Sequence, residues 1–303
     1  MIDIRQTEEY ADYLRRGGWI VERIEGVNYF LRKFPIIGHI LKIQRPDKID
    51  FGLINKLCRK YGVFQVIIEP KDDADFQKLS LNGFKLSKKP YLPSKTLQID
   101  LTQPKETILR GFKKHTRQAI RKSFGSEYGG ERVIESNHND ALNRGHKIFI
   151  HQYSTPNEIK KFREAWKNSV NFSRYVPSEQ QLLNLRKSFP QSKSLFLASH
   201  NISGSIIGGA LFTISSHDRS NYIIYYWYGF TNKEGRSTLS QYSLLYQGIL
   251  WGKKIGCKIF DFEGIYDDRF PHKSWLGFSQ FKRSFGGYEV LYPGCYTRFR
   301  FPW

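Results

Sequence analysis

The stretch KIFDFEGIYDDRFPHKSWLGFSQFKRSFGGYEVLY, residues 258–292, carries the clearest change of periodicity in this chain. In the run that begins at 258–262, Ile259, Asp261 and Glu263 alternate with Phe260 and Phe262, and a period of two is typical of a strand. Gly264 then interrupts the alternation, and the Asp and Pro residues that follow predict a loop. From residue 273 the spacing becomes helical, and a Gly-Gly pair predicts the helix C-terminus. The stretch therefore predicts a strand, a loop and a helix that carries Lys282.

The predicted helix has an aromatic face. At helical spacing this face contains Ser274, Gly277, Phe278, Phe281 and Phe285. We therefore expect Lys282 to lie beside Phe278 and Phe281 and to be partly desolvated. Spacing alone favours a surface lysine whose aliphatic stem covers aromatic rings, so a functional role needs support from elsewhere in the chain.

Composition indicates a two-domain, strongly basic protein. The chain has 303 residues, of which 40% are hydrophobic and 16% aromatic, which is enough for packed cores. Forty-eight Lys and Arg residues against 28 Asp and Glu residues give a formal net charge of +20. This excess favours a polyanionic partner such as RNA, DNA, a phosphorylated sugar or an anionic membrane face. The alternative is that the charge serves only solubility.

The sequence contains neither a membrane-span signal nor a metal-site signal. The longest apolar run, 205–214, is about half the length of a bilayer crossing. The N-terminus MIDIRQTEEY lacks the features of a signal peptide, so we expect a cytoplasmic protein. Cys58, Cys257 and Cys295 are too widely spaced for a zinc site or a disulfide framework. The histidines form no H-x-x-x-H pair, and we expect neither a metal nor a cofactor.

Periodicity predicts the order of elements in both halves of the chain. In the first half we expect helices at 7–16, 50–61, 73–81 and 104–124, and strands at 19–25, 27–33, 38–44, 63–69 and 96–101. In the second half we expect helices at 140–152, 157–169, 178–189 and 237–255, and strands at 132–135, 195–199, 205–214, 222–230 and 258–262.

This order predicts a mixed α+β fold of the α/β class, with helices around two mostly antiparallel sheets. It resembles the fold of the Gcn5-related N-acetyltransferases (GNAT), present twice. We expect a first domain at 1–130 and a second at 131–289. The helix at 104–124 has an almost purely cationic polar face, which indicates a phosphate-rich ligand because solvated faces usually mix signs. We expect this face to contact the phosphate groups of an RNA or of another polyanion through Lys113, Lys114, Arg117 and Arg121.

The order D-F-x-G-I, a loop, and then G-F-x-x-F-K-x-x-F-G-G resembles the C-terminal signature of the FemABX family. Members of this family are aminoacyl-tRNA-dependent transferases that build peptidoglycan cross-bridges. The matching residues are Asp261, Phe262, Gly264, Ile265, Gly277, Phe278, Phe281, Lys282, Phe285 and Gly286. The resemblance implies tandem GNAT-like domains, with residues 290–303 returning to the first. The coiled-coil arm that some members insert has no room here, so the chain resembles the armless members.

The resemblance also implies a chemistry for the Phe281-Lys282 pair. A substrate amine would attack the ester that joins an amino acid to the 3′ end of tRNA. Because this ester is already activated, no enzyme nucleophile is needed. A positive charge is needed where the carbonyl oxygen becomes an oxyanion, and removing one such donor typically costs about 3 to 4 kcal/mol. By the resemblance, Lys282 supplies that charge.

Other positions match the family less closely. Glu69-Pro70 stands where the family has an Asp-Pro on the floor of the sugar–peptide pocket, and Phe64 stands where an aromatic hydroxyl is expected. Arg15 and Arg16 in the first helix and Arg174 in the second domain are candidates for diphosphate binding, since arginine grips phosphate oxygens in pairs. Glu69 as a simple strand terminator is an equal alternative.

Three further features remain open from sequence. Asp261 and Glu263, two apart on a strand, suit an acid–base pair, but either could instead hold the following loop or a basic residue. Tyr226 belongs to an aromatic run, 222–230, that could stack on a base or a sugar or simply form core. The turn 232–237 resembles a degraded acetyl-CoA pyrophosphate loop, with Asn and Ser at its end positions.

We therefore expect an aminoacyltransferase that adds an amino acid from aminoacyl-tRNA to the stem-peptide amine of a nucleotide- or lipid-linked peptidoglycan precursor. We expect a monomer, and the net charge leaves room for peripheral contact with the inner face of the membrane. Two alternatives stay open: an acyl-CoA-dependent N-acyltransferase acting on a sugar or lipid-linked envelope intermediate, and a non-catalytic polyanion-binding module.

Overall fold

A computed structural model of the protein describes residues 1–124, 148–170, 174–215 and 222–300. The helices are α1 (Glu8–Arg16), α2 (Phe51–Tyr61), α3 (Phe76–Leu81), α4 (Lys105–Gly111), α5 (Lys114–Phe124), α6 (Pro156–Ser169), α7 (Glu179–Ser188), α8 (Lys233–Ser237), α9 (Ser240–Ile255) and α10 (Leu276–Arg283). The strands are β1 (Ile20–Ile24), β2 (Val27–Phe34), β3 (Gly38–Gln44), β4 (Val63–Glu69), β5 (Lys85–Leu86), β6 (Lys95–Asp100), β7 (Phe149–Tyr153), β8 (Ser194–His200), β9 (Ile206–Ser215), β10 (Ile223–Thr231), β11 (Ile259–Gly264), β12 (Tyr288–Leu291) and β13 (Tyr296–Phe299).

The chain forms two compact units. Unit 1 comprises Met1–Leu97, Glu263–Ser279 and Glu289–Trp303, and unit 2 comprises Gln98–Phe262 and Gln280–Tyr288. The domain boundary predicted at 130/131 falls within 125–147, outside the described residues. Among the residues that are described, no helix is long and apolar enough to cross a bilayer.

Unit 1 is built on a six-stranded sheet in the order β1-β2-β3-β4-β13-β5. β3 and β4 are parallel and joined by α2, while the neighbouring pairs are antiparallel. Asp50 begins α2 by accepting the backbone N–H of Leu53 at 2.9 Å, and Gly62 ends it at a φ of 59°. The apolar stripe of α2, including Ile54 and Leu57, packs on the buried face of the sheet.

Unit 2 is built on a sheet in which the strands β11-β10-β9-β8-β7 are neighbours in that order. Strands β7 to β10 form an antiparallel meander, and β11 joins β10 in parallel after the crossover through α9. α9 lies close to the sheet because Gly248 has no side chain: a Cβ there would stand 2.3 Å from the Phe212 ring. The architecture confirms the predicted mixed α+β fold with two mostly antiparallel sheets flanked by helices.

Two helix predictions are wrong in part. The helix expected at 104–124 is two helices, because Phe112 adopts an extended conformation. The guanidinium of Arg117 closes the break by donating to the carbonyls of Arg110, at 3.3 Å, and Phe112. The helix expected at 140–152 is strand β7 from Phe149 onward, where cross-strand pairing with β8 prevails over local propensity. Its earlier part and the strand expected at 132–135 lie outside the described residues.

Candidate functional site

Lys282 is a buried lysine on α10. Its side chain is only 8% exposed, and its Nζ lies 5.7 Å from the centre of the Tyr226 ring. That distance is within the range of a cation–π interaction. The neighbouring Phe281 ring packs edge-on against Tyr242 at 4.9 Å. The interpretation of Lys282 as a surface lysine is therefore wrong, and α10 holds an ammonium group in a largely desolvated position.

The aromatic face predicted for α10 is wrong in part. Gly277 and Phe278 are exposed, and Phe278 packs on Trp275 with ring centres 5.3 Å apart. The buried positions of the helix are Ser279 and Lys282. The helix therefore buries a serine and a lysine and leaves Phe278 exposed. Because burying polar groups costs desolvation free energy, stability alone does not favour this arrangement.

The C-terminal end of α10 is held in unit 2 by backbone contacts. The Ser284 carbonyl accepts the backbone N–H of Lys113 at 2.8 Å and the Thr116 hydroxyl at 3.0 Å. Gly286 follows at a φ of +71°, and a Cβ there would stand 2.5 Å from the Gly111 carbonyl oxygen. Only glycine fits this approach, which explains the Gly-Gly pair that follows the Phe-Lys pair in the sequence.

Tyr226 lies at a bulge of β10 and is held from its hydroxyl end. The pairing of β10 with β9 shifts register between Tyr226 and Tyr228. The amide of Gln241 donates to the Tyr226 hydroxyl at 2.8 Å, and the hydroxyl packs on Gly229, where a Cβ would be only 1.8 Å away. Burial of this hydroxyl raises the pKa of Tyr226, so the phenol stays neutral at physiological pH. The ring remains partly exposed.

A cavity of about 470 Å³ in unit 2 adjoins these rings. Tyr226, Phe281 and Gln241 line it, together with Arg174 and Arg236. The Arg236 guanidinium is fixed by a 2.9 Å hydrogen bond to the last carbonyl of β10. Two arginines beside an aromatic wall suit an anionic ligand with a planar or apolar part. The structure thus brings together the predicted residues Arg174, Tyr226 and Phe281, and it adds Arg236 and Gln241.

Sequence reasoning missed Arg236 and Gln241 for different reasons. Arg236 lies in the turn 232–237, whose sequence resembles a pyrophosphate loop, and this resemblance could have indicated a role in anion binding. Nothing in the local pattern distinguishes Gln241, whose role depends on the bulge that places Tyr226 above it.

Two backbone amides of the turn after β10 are bonded within the turn itself. Asn232 begins α8 and its side chain accepts the Gly235 N–H at 2.8 Å. The Arg236 N–H donates to the Asn232 carbonyl at 3.1 Å. Because both amides are used within the turn, they are not available to cradle phosphate.

The two carboxylates predicted as an acid–base pair have separate partners. In unit 2 Asp261 is buried and accepts a 2.8 Å hydrogen bond from Gln98. In unit 1 Glu263 binds the Arg5 guanidinium at 2.9 Å. Glu263 also has a φ of +60°, which ends the regular alternation of the strand. The alternative that one carboxylate holds a basic residue therefore fits Glu263.

Unit 1 contains a buried ionic cluster that the sequence did not reveal. The Asp3 carboxylate binds Arg45 at 3.0 Å and Arg5 at 3.4 Å, and Arg5 reaches Glu263. Arg45 is 2% exposed, and its guanidinium lies 3.5 Å from the centre of the Tyr292 ring. Two arginines and two carboxylates balance in charge, which is the condition for burying them. Basic residues are so frequent in this chain that neither arginine stood out.

Unit 1 also has a cavity of about 720 Å³ between the loops 86–94 and 265–275. Glu69 is buried beneath the first loop and accepts the N–H of Leu92, a lining residue, at 2.5 Å. Its other oxygen accepts a 2.7 Å hydrogen bond from Gln44. Glu69 does not line the cavity itself but holds the loop 86–94 that forms part of its wall.

The remaining predicted residues of unit 1 lie at its surface or in ordinary packing. Arg15 pairs with Glu8 at 2.6 Å and Arg16 with Asp12 at 2.7 Å, and all four side chains are well exposed. Phe64 makes an edge-to-face contact with the ring of Phe34, and the two ring centres are 6.1 Å apart. The predicted role of these residues in substrate binding stays a prediction.

The cationic face predicted on 104–124 divides between its two helices. Lys113, Lys114 and Arg121 are exposed at the surface of unit 2, whereas Arg117 is partly buried and closes the C-terminal end of α4. The described residues include no group of three potential metal ligands. All three cysteines are free and buried.

Comparisons with known proteins bear on the fold. No protein-family model and no curated protein matches the sequence. Among solved structures, FemX is similar over 98% of this chain and 92% of its own, with a TM-score of 0.76 and 15% identity. The chain has the FemX fold. L-PGS from Bacillus licheniformis is similar over 94% of this chain and 85% of its own, with a TM-score of 0.55 and 16% identity.

The FemX fold of this chain is also similar to a tandem GNAT protein from the clavulanic acid biosynthesis pathway. The similarity covers 91% of this chain and 84% of the tandem GNAT chain, with a TM-score of 0.52 and 8% identity. The fold predicted from the 258–292 signature, two tandem GNAT-like domains of FemABX type, is therefore confirmed. Because these identities are low, the function depends on the site itself.

Proposed function

We propose that this protein is an aminoacyltransferase that moves an amino acid from aminoacyl-tRNA to the stem-peptide amine of a peptidoglycan precursor. The observation that carries the proposal is the burial of Lys282 against Tyr226. An ammonium group is withdrawn from water beside a cavity lined by two arginines, on a fold shared with FemX. Similarity to the C-terminal domain of a putative lysylphosphatidylglycerol synthetase from Agrobacterium fabrum agrees with an amino acid as the transferred group.

The proposed reaction requires no enzyme nucleophile. The acceptor amine attacks the ester carbonyl of the charged tRNA, a C–N bond forms, and the negative charge on the carbonyl oxygen is stabilised by the Lys282 ammonium. The C–O bond to the terminal ribose then breaks, and the amine proton leaves with the ribose oxygen or through water. Amide and free tRNA are the products.

The cavity residues have roles that follow from their chemistry. Arg174 and Arg236 bind phosphate of a substrate, because each guanidinium presents several donors to an anion. The Tyr226 ring positions Lys282, and Gln241 holds that ring from its hydroxyl. Exposed Lys113, Lys114 and Arg121 provide the electrostatic attraction for tRNA.

An acyl-CoA donor is less well supported. In the acetyl-CoA-dependent proteins of related fold, free backbone amides of the turn after this strand bind pyrophosphate, and here the Gly235 and Arg236 amides are already bonded within the turn. The tandem GNAT similarity concerns only the fold.

The test is a donor comparison. The protein is incubated with a mixture of charged tRNAs or with acyl-CoA, each with nucleotide-linked and lipid-linked precursors, and the products are identified by mass spectrometry. We expect a precursor heavier by one amino acid residue. It should form only with charged tRNA, and treatment of the tRNA with RNase should prevent its formation. Acylation from CoA would contradict the proposal, and binding of both substrates without transfer would favour a non-catalytic module.

A further inference from the structure

The hairpin that joins β2 to β3 presents an apolar tip to solvent. Every residue of 32–37 is exposed. Ile36 is fully exposed, and Phe34 and Ile37 are 37% and 58% exposed. Scattered single apolar side chains are normal on protein surfaces, but three of them within four consecutive residues mark an interaction surface.

The backbone of this tip is strained. Ile36 has a φ of +72°, and the Ile37 N–H donates to the Pro35 carbonyl at 2.8 Å, the bond of a γ-turn. A β-branched residue in this region is a true outlier, and glycine or asparagine would adopt it more easily. Because Ile36 contributes nothing to the core, its presence at a strained and exposed position indicates a function outside folding.

The base of the hairpin is positively charged. The sequence from 30 to 44 contains Arg32, Lys33 and Lys42 and no acidic residue. Arg32 and Lys33 are exposed directly beside the tip. An apolar tip above a cationic base matches the profile of a bilayer interface, where acyl chains lie below a layer of lipid phosphates.

We propose that the β2–β3 hairpin docks this protein on an anionic membrane surface. Phe34, Ile36 and Ile37 enter the boundary between headgroups and acyl chains, and Arg32 and Lys33 remain at the level of the phosphates. The contact is peripheral and reversible. It goes beyond the transfer reaction proposed above and does not depend on it, because it uses only residues of unit 1 that are remote in sequence from Lys282.

The test is cosedimentation with vesicles of phosphatidylcholine alone and of phosphatidylcholine mixed with phosphatidylglycerol. We expect binding only to the mixed vesicles. Ile36→Asn should lower the partition coefficient about tenfold, or about 1.4 kcal/mol. Since asparagine tolerates a positive φ, this variant should melt no earlier than the wild type, and loss of folding will not be confused with loss of docking.

Leu81→Asn is the matched control. Leu81 is also in unit 1 and 87% exposed, at the end of α3, and its replacement should leave vesicle binding unchanged. The proposal is overturned if the wild type does not bind mixed vesicles. It is also overturned if Ile36→Asn binds the mixed vesicles as the wild type does, because binding would then depend on charge attraction alone. A third contradicting result is a wild-type dimer in sedimentation velocity that Ile36→Asn dissociates, because the tip would then mediate self-association.

Discussion

Replacing Tyr226 separates the contribution of its ring from that of its hydroxyl. The ring lies 5.7 Å from the Lys282 ammonium, and Lys282 is nearly excluded from water. A desolvated cation–π contact is worth about 2 kcal/mol, against about 0.5 to 1 kcal/mol at an exposed site. Tyr226→Leu should therefore reduce kcat/KM for aminoacyl transfer by about 10- to 30-fold, because the ammonium is no longer held in position.

Tyr226→Phe is the matched variant, since it keeps the ring and loses only the hydrogen bond from Gln241. We expect transfer close to the wild-type rate and a loss of about 1 kcal/mol in the free energy of unfolding. The assay is the initial rate of transfer of a radiolabelled amino acid from charged tRNA, with thermal melting of each variant alongside. Equal losses of activity in the Leu and Phe variants would refute the argument, because the ring would then contribute nothing of its own.

Three further predictions concern stability and reactivity. Arg45→Met leaves Asp3 buried with one guanidinium fewer, so the free energy of unfolding in urea should fall by about 3 to 5 kcal/mol, and a loss below about 1 kcal/mol would contradict the buried network. Burial alone would raise the pKa of Asp3, but the charges of Arg5 and Arg45 hold it below its usual value. The stability that this carboxylate contributes is therefore present above about pH 4 and lost as pH falls through the lower folded-state pKa. In Asp3→Asn the free energy of unfolding should depend less on pH in that window, and an unchanged pH dependence would contradict the prediction. Burial raises the pKa of both Cys257 and Cys295 to about 12, so a thiol reagent at neutral pH should modify them only on unfolding, and rapid labelling of the native protein would show that they are accessible.

The fold could be predicted because its evidence is local. Alternation gives way to helical spacing between residues 258 and 285, and this change predicted β11 and α10. The helix predicted at 50–61 agrees with α2 to within one residue, and Asp50 and Gly62 cap its two ends. The break at Phe112 was not predictable, because it depends on Arg117 reaching back to close the end of α4.

The sequence predicted several residues of the candidate site but not the contacts between them. The Phe281-Lys282 pair and Tyr226 were identified from sequence, but the contact between Lys282 and Tyr226 depends on a register shift in β10 that no alternation pattern reveals. The aromatic neighbours predicted for Lys282 were Phe278 and Phe281, and of these Phe278 is exposed. A helical wheel gives the faces of α10, but the packing of the whole unit decides which face is buried.

The central claim is that a buried ammonium at position 282 stabilises the oxyanion during transfer. The most direct measurement is the single-turnover rate of amino acid transfer by Lys282→Met, which keeps the length and apolar stem of the side chain and removes its charge. The matched control is Lys254→Met, an exposed position in the last turn of α9. We expect Lys282→Met to fold, to bind charged tRNA and to transfer about 100- to 1,000-fold more slowly, while the control stays unchanged. A Lys282→Met protein that transfers at the wild-type rate would contradict the claim.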